Sequence, residues 1–366
     1  MRQLYTIELV CLVKELREFE GYYVDKFYED KDDTFRFALS RKGSKANLRC
    51  VLPFAINRTA YISPADEPTN FAIAVRKRIA GFMIEGIMQY NNDRIVLIKL
   101  TKGEDAVNLI LEMFGKGNLV IADKGMKILL VYKPHIFKDR DVRVNSTYAQ
   151  PKSANIDILD QKAVSEAISR LGAEKETISA TISKNIGIGT LYIEDALAKI
   201  GIEPKKKTAD IGDKLDDVAR SINDEIELCT NSKTVLLYEK DGGIADFAMC
   251  GIEKYSQFNK TECNSLQDAL DKAYQMAPHV ARKNEQAEGL KQSIEKQSAL
   301  LKEIDDQIAA EKNTGDMIFK NMQQINEIIK KLKENKRMTK EELQAFAKGI
   351  KILDVNLKEK TVSIEI

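Results

Sequence analysis

The stretch RIVLIKLTKGEDAVNLILEMFGKGNLVIA, residues 94–122, contains three apolar segments separated by short polar turns. Branched residues such as valine and isoleucine favour strands, and turns this short join neighbouring antiparallel strands. The turn Gly115-Lys116-Gly117-Asn118 is explained by a backbone with positive φ, so it needs no ligand-binding role. The stretch therefore predicts a meander with strands at 94–100, 106–113 and 119–122.

Sequence of the same kind surrounds this meander and extends a predicted β-rich lobe over the first 150 residues. Further strands are predicted at Tyr22–Tyr28, Thr34–Leu39, Leu48–Leu52, Ala60–Ile62, Phe82–Met88 and Lys127–Tyr132. Apolar residues at helical spacing predict an N-terminal helix capped by Thr6, and a second helix at Thr69–Ala80. The last turn of the second helix holds the basic triplet Arg76, Lys77 and Arg78. An α+β fold with antiparallel strands follows from this pattern.

Residues 151–212 have helical patterns and predict a separate helical domain. Gly187 and Gly189 lie between predicted helices at Ala167–Ile182 and Leu191–Ile200. Such a helix-hairpin-helix can turn backbone N–H groups outward to hold a phosphate, and Lys184 would add positive charge. A plain helical turn explains the two glycines equally well.

Residues 213–278 are predicted to contain both helices and strands. The helices lie at Lys214–Cys229 and Ser265–Tyr274, and the two strands between them lie at Thr234–Glu239 and Ile244–Met249.

From residue 279 to residue 337 a heptad repeat predicts coiled-coil helices. One set of heptad positions holds Val280, Ala287, Ile294, Leu301, Ile308, Gly315, Met322 and Ile329. A break is expected at 311–316, where Gly315 interrupts the repeat. The alternative is two ordinary amphipathic helices packed on a globular core. Residues 338–366 predict a small α/β segment with a helix at 340–347 and strands at 351–355 and 361–366.

Composition excludes several classes of protein. The 366 residues carry a net charge of +1, so any nucleic-acid footprint must be local. Five cysteines without close spacing indicate reduced thiols, and His135 and His279 show no metal-ligand spacing, so no metal is expected. The motifs that cradle nucleotide phosphates are missing, and no cofactor is expected. Without an apolar N-terminal run or an 18-residue apolar segment, a cytoplasmic protein without a membrane span is expected.

Asp93 and Arg94 form an acid–base pair at the start of an otherwise apolar strand. A guanidinium can bind a phosphate or a base edge with two parallel hydrogen bonds. The neighbouring carboxylate can orient the guanidinium, or it can accept from a nucleobase amine or a 2′-hydroxyl. The alternative is a surface ion pair in a turn, worth less than about 1 kcal/mol. The pair is therefore a candidate for RNA recognition.

The order of several motifs resembles that of the NFACT family of ribosome-associated quality-control factors, which includes NEMF-like, RqcH-like and fibronectin-binding protein A-like members. The motifs are Lys14-Glu15-Leu16, Phe71–Arg78, Asn92–Val96, Leu111–Leu119, the Ile186–Leu197 hairpin and the heptad region. The resemblance covers nearly the whole chain. It implies an NFACT-N domain similar to the N-terminal part of formamidopyrimidine-DNA glycosylases, with a helix-hairpin-helix insert and a coiled-coil arm.

The resemblance also implies partners and site residues. Family members bind the large ribosomal subunit when peptidyl-tRNA obstructs it, and some recruit tRNA to extend the stalled peptide without a template. The family's Asp-Arg pair falls on Asp93 and Arg94, and its N-terminal acid, often Asp, falls on Glu8. Arg76, Lys77 and Arg78 would supply phosphate contacts, although this basic triplet ends in Arg78 where the family often has His. Full-length family members have a second coiled-coil helix and a C-terminal NFACT-R domain, and this sequence ends at Ile366 before either, as a truncated or a naturally short form. The apolar heptad positions could then pair with a second copy in a homodimer.

Two other functions fit parts of the sequence. A glycosylase-like fold could belong to an enzyme that removes damaged bases, but such enzymes use an N-terminal proline and this sequence begins Met1-Arg2. A surface adhesin, suggested by an older family name, conflicts with the reduced cysteines. The interpretation favoured here is a binding factor and not an enzyme, because peptide elongation would use the ribosome's own catalytic centre.

Overall fold

Residues Met1–Pro278 and His279–Ile366 form two units in the computed structural model of the chain. The structure describes residues 2–30, 33–62, 67–151, 156–172, 175–241, 243–276, 279–334, 338–347, 349–356, 359 and 361–365. The side chains of 275, 276 and 279–292 are outside this description. Among the described residues, no helix combines the length and the apolar character needed to cross a membrane.

A nine-stranded antiparallel sheet is the main element of the first unit. Its strands are β1 Tyr23–Glu29, β2 Thr34–Arg41, β3 Ser44–Val51, β4 Ala55–Arg58, β5 Met83–Gln89, β6 Ile95–Lys102, β7 Asp105–Glu112, β8 Asn118–Asp123 and β9 Ile128–Val131. They are arranged in the order β4-β3-β2-β1-β5-β6-β7-β8-β9. The predicted meander is confirmed, because β6 pairs with β7 and β7 with β8. The predicted strand at Ala60–Ile62 is wrong, since the strand lies earlier, in β4, where Ala55 and Ile56 are buried.

Helix α1, Thr6–Leu16, occupies a central place in this unit. It contacts β5 of the sheet and two later helices, and nine of its residues are buried. The expected cap at Thr6 is wrong by one residue, because Tyr5 is the N-cap. The Tyr5 backbone N–H donates to Glu8 Oε2 at 2.8 Å. The start of α1 is therefore fixed by a buried carboxylate within the helix itself.

The second helix, α2 Asn70–Ile79, agrees with its prediction. Thr69 caps it by accepting a hydrogen bond from the Ala72 N–H at 3.0 Å. Its buried residues Ala72, Val75 and Ile79 face β1, so the triplet at its end is held close to that strand. A short hairpin of β10, His135–Ile136, and β11, Asp141–Val142, follows the sheet.

Four more helices and a small sheet follow in the first unit. The helices are α3 Gln161–Ser169, α4 Ile178–Asn185, α5 Thr190–Lys199 and α6 Leu215–Asn231. The single helix predicted at Ala167–Ile182 is wrong, because α3 ends at Ser169 and Thr177 caps the start of α4. The small sheet has the order β13-β12-β14, formed by β12 Val235–Lys240, β13 Gly243–Ala248 and β14 Asn259–Cys263. The polar strand β14 was not predicted, since four of its five residues are exposed and carry no apolar alternation.

Helix α7, Leu266–Met276, packs against α1. The two oxygens of Glu15 on α1 accept the N–H groups of Leu266 and Gln267 at 2.9 and 3.0 Å. A carboxylate at this point satisfies helix N–H groups that have no partner within the helix. The contact fastens the last part of the first unit to its central helix.

The second unit contains α8 His279–Lys320, α9 Met322–Glu334, α10 Lys340–Phe346, and the antiparallel pair β15 Lys351–Asn356 and β16 Thr361–Glu365. The break expected at 311–316 is wrong, because α8 continues through Gly315 to Lys320. One glycine costs only about 1 kcal/mol in a helix, which good helix formers on both sides can outweigh. The heptad residues Ile294, Leu301 and Ile308 are exposed, and their pairing with another helix stays a prediction.

Candidate nucleic-acid interface

A cleft of about 270 Å³ in the first unit brings together three segments that are far apart in the sequence. The turn between β5 and β6 contributes Asn92, Asp93 and Arg94. The start of α1 contributes Tyr5 and Thr6. The hairpin between α4 and α5 completes the lining with Ser183, Lys184, Ile186, Gly187, Gly189 and Thr190. Two candidate sites that the sequence suggested separately, the Asp-Arg pair and the glycine hairpin, therefore face one space.

The β5–β6 turn places Asp93 and Arg94 before the strand and not within it, since β6 begins at Ile95. Asn91 and Asn92 have φ of 49° and 55°, a left-handed conformation that asparagine adopts more readily than most residues. Asp93 Oδ1 accepts the Arg94 backbone N–H at 2.7 Å, which fixes the turn. One role of the Asp93 carboxylate is therefore to set the position of Arg94.

The Arg94 side chain is half-buried at the edge of the cleft. Its Nη1 donates to Gln3 Oε1 at 3.3 Å. Burial lowers the pKa of Arg94, while the nearby Asp93 and Tyr5 oppose that shift. A guanidinium has five N–H donors and stays charged in proteins. Arg94 can therefore contact an anionic ligand in the cleft while it keeps the bond to Gln3.

The α4–α5 hairpin depends on the absence of a side chain at Gly189. Gly187 and Gly189 have φ of 76° and 113°. A Cβ on Gly189 would lie 2.3 Å from Cγ of Tyr5, so the hairpin backbone rests directly on that ring. Tyr5 Oη and Thr190 Oγ1 are 3.3 Å apart. This contact brings the N-terminus of α5, which has N–H groups suited to an anion, to the cleft.

Lys184 adds positive charge on the same hairpin. It lies in the last turn of α4, its side chain is exposed, and its Nζ lies 3.5 Å from Glu176 Oε1. An exposed ion pair of this kind is weak and exchanges readily for another anion. The cleft therefore combines one guanidinium, one ammonium and a helix N-terminus.

Glu8, the predicted N-terminal acid of the site, is fully buried. Arg2 donates to both of its oxygens, at 2.6 and 2.8 Å, and Tyr192 Oη donates to Oε1 at 2.7 Å. With the Tyr5 N–H, four donors surround this carboxylate. A direct contact of Glu8 with RNA stays a prediction that this burial does not favour. Glu8 instead holds the Tyr5 backbone through a hydrogen bond, and the Tyr5 ring packs directly against Gly189.

Sequence reasoning missed Arg2 and Tyr192, which complete this buried network. Arg2 also donates to Asp246 Oδ1 at 2.9 Å, and its guanidinium stacks over the Tyr5 ring at 4.2 Å from the centroid. Although burial opposes it, the Glu8 carboxylate raises the pKa of Arg2. The only local signal was the three-residue spacing of Tyr5 and Glu8, because the other partners are distant in sequence.

The basic triplet lies outside this cleft, as far as the described residues show. Arg76 Nε donates to the Phe27 carbonyl at 2.7 Å, and its guanidinium lies 5.5 Å from the centre of the Tyr28 ring. Lys77 and Arg78 are exposed. Arg76 therefore ties α2 to β1, and a phosphate contact by the triplet stays a prediction that best fits Lys77 and Arg78.

The fold and the cleft define an α+β protein with a groove lined by the β5–β6 turn, the start of α1 and the α4–α5 hairpin, and two solved structures share the fold. The N-terminal part of the fibronectin/fibrinogen-binding protein from Streptococcus suis is 20% identical, with a TM-score of 0.58 over 74% of this chain and 99% of that one. The fibrinogen binding protein from Staphylococcus aureus is also 20% identical, with a TM-score of 0.60 over 74% and 98%. The expected α+β class is confirmed.

The chain belongs to the NFACT family, because the family model for NFACT N-terminal and middle domains matches residues 6–364. The archaeal Rqc2 homolog aRqcH from Methanocaldococcus jannaschii is 23% identical over 358 residues, which are 91% of this chain and 52% of that protein. The Rqc2 homolog RqcH from Streptococcus pneumoniae serotype 2 is 34% identical over 108 residues, 27% of this chain and 19% of that protein. The chain thus spans about half the length of the first of these relatives. The family predicted from the motifs is confirmed.

Proposed function

We propose that this chain is the RNA-binding part of a ribosome-associated quality-control factor. It binds the large ribosomal subunit obstructed by peptidyl-tRNA and engages tRNA through the cleft. The observation that carries this proposal is the meeting of Asp93, Arg94 and the N-terminus of α5 around one space. Family membership supports it, since a yeast relative is named ribosome quality control complex subunit 2.

The groups in the cleft suit a phosphate backbone. Arg94 supplies a planar donor that matches two phosphate oxygens, and the first turn of α5 supplies backbone N–H groups. Lys184 adds a second cation at the rim. Contacts of this kind bind RNA without reading its sequence, and they weaken as salt rises because counterions compete. Asp93 then acts by holding the turn that presents Arg94.

The proposed role needs no catalytic group in this chain. In the full-length factor, bound tRNA would support C-terminal tailing of the stalled peptide, and the ribosome would form the peptide bonds. The contribution of the cleft is to bind tRNA and to hold it in a fixed orientation, which requires charged and correctly placed side chains but no catalytic group. The chain is accordingly a binding factor.

Arg94→Ala is expected to weaken tRNA binding about tenfold or more, since a hydrogen bond to a charged group contributes about 1.5–3 kcal/mol. The slope of log affinity against log salt should fall by about 0.7–0.9 for the lost phosphate contact. Asp93→Ala should weaken binding as well, while Asp93→Asn, which keeps an oxygen for the Arg94 N–H, should have a smaller effect. Fluorescence anisotropy with labelled tRNA at several salt concentrations measures all three variants.

The matched control is Lys99→Ala. Lys99 is an exposed cation on β6, the strand that follows Arg94, and it does not line the cleft. Its removal changes the net charge by the same amount as Arg94→Ala. If both variants lose affinity equally, the binding is a general charge effect and the cleft has no special part in it.

A further inference from the structure

Two cysteines and a glutamate that the proposed function does not use meet at a buried point in the first unit. Cys229 Sγ lies 3.7 Å from Cys250 Sγ, and Cys250 Sγ lies 3.0 Å from Glu225 Oε1. All three ligand atoms lie within 4.8 Å of one another. They are outside the lining of the cleft, so this cluster requires a separate explanation.

The fold builds this cluster from a helix and a loop. Glu225 and Cys229 are four residues apart on α6, which places both side chains on one face. Cys250 follows β13 by two residues, so the pairing of β13 with β12 holds it in position. The cysteines are separated by 20 residues in the sequence, which is why their spacing indicated no metal site.

A second layer of charged groups fixes the glutamate. Lys199 Nζ forms an ion pair with Glu225 Oε2, and it lies 2.9 Å from Asp195 Oδ2. Because the ammonium holds Oε2, the other oxygen of Glu225 faces the two sulfurs. Outer groups that hold one carboxylate oxygen and leave the other for an ion are typical of metal sites.

We propose that Glu225, Cys229 and Cys250 bind a thiophilic divalent cation such as Zn²⁺. On a tetrahedral zinc with bonds of about 2.3 Å, two thiolate sulfurs lie about 3.8 Å apart, close to the 3.7 Å between Cys229 and Cys250. A carboxylate oxygen and a sulfur on the same ion lie about 3.5 Å apart. The Glu225–Cys250 contact of 3.0 Å therefore has to open by a few tenths of an ångström, which a rotation of one side chain provides.

Solvent can reach the cluster from a cavity of about 390 Å³ that is lined by Lys199, Ser221 and Glu225 among others. Cys250 itself is partly exposed. A zinc ion with three protein ligands usually takes water as its fourth ligand. The partial exposure of Cys250 gives the ion and its water ligand access to the cluster.

Binding exchanges protons for the ion. Without a metal, the Cys229 thiol donates to Cys250 Sγ and the Cys250 thiol donates to Glu225 Oε1. The cation forms two metal–sulfur bonds, and the two S–H protons leave to solvent. Acid competes with the metal for the same sulfurs, so the affinity should increase with pH.

Cobalt titration of the reduced whole chain tests the proposal, since Co²⁺ bound by thiolates gives a charge-transfer absorbance in the near ultraviolet. One equivalent of Co²⁺ should produce this band in wild-type protein, and Zn²⁺ should displace it. Cys229→Ser and Cys250→Ser should each lower the apparent affinity at least tenfold. The control Cys263→Ser also replaces a buried free cysteine but leaves the cluster intact, so its titration should match wild type.

Zinc should also protect the partly exposed Cys250 thiol from alkylation in folded wild-type protein. Cys250→Ala, at the most exposed of the three positions, supplies the test if the Cys229 variant does not fold. The proposal is overturned if folded wild-type protein gives no charge-transfer band. It is equally overturned if the band survives unchanged in folded Cys250→Ala. Neither result bears on tRNA binding at the cleft.

Discussion

Gly189→Ala is expected to destabilise the first unit by roughly 2–5 kcal/mol and to remove most tRNA binding. At a φ of 113° an L-residue is strained, and the new Cβ would lie 2.3 Å from Cγ of Tyr5. Either the ring or the hairpin has to move. Because both line the cleft, the N-terminus of α5 would no longer face Arg94. Urea unfolding measures the free energy of unfolding, and tRNA anisotropy measures the affinity.

Gly201→Ala is the matched control for this change. Gly201 follows α5 with a φ of 68°, but an added Cβ would meet no atom within 4 Å. This variant introduces backbone strain without a steric clash, and its free energy of unfolding is expected to fall by about 1 kcal/mol. Equal losses of unfolding free energy in Gly189→Ala and Gly201→Ala would show that the close packing of Gly189 on Tyr5 does not contribute to stability.

Glu8→Ala is the second change with a large expected effect. It removes the buried carboxylate that accepts from Arg2, Tyr192 and the Tyr5 N–H. Removing one partner of a buried ion pair leaves the other charge without compensation and costs about 3–5 kcal/mol. A lower urea midpoint with the same slope is the expected result, since the loss concerns the stability of the native state.

The control for Glu8→Ala is Glu85→Ala, at an exposed position on β5. Surface substitutions of this kind usually change stability by less than about 0.5 kcal/mol. The Arg2→Ala, Glu8→Ala double variant should be less unstable than the sum of the single variants, because the two side chains interact directly. Additive losses, or a Glu8→Ala variant as stable as wild type, would contradict the buried network.

Local patterns predicted most of the sheet. The strands β6, β7 and β8 follow from apolar residues of strand propensity and short turns, which are properties of neighbouring residues. The same is true of α2, where Thr69 caps a regular apolar stripe. The predictions were wrong where an element boundary depends on a contact that sequence patterns do not show. One example is the start of α1, where the Tyr5 N–H donates to the buried carboxylate of Glu8.

The site was predicted in pieces. Asp93 and Arg94 could be predicted because a pair of charged residues is unusual beside an apolar strand. Gly187 and Gly189 could be predicted because glycine is typical of tight turns. No local pattern could show that these two segments share a cleft with Tyr5. The closeness of Cys229 and Cys250 was equally hidden, since it depends on how α6 packs near the end of β13.

Co-sedimentation with large ribosomal subunits tests the central claim most directly. Subunits carrying peptidyl-tRNA and subunits lacking it are compared at several salt concentrations, with wild-type protein and Arg94→Ala. Wild-type protein should sediment preferentially with the obstructed subunits, more weakly as salt rises, and Arg94→Ala should lose that preference. Wild-type protein that binds neither kind of subunit, or binds both equally, would contradict the account.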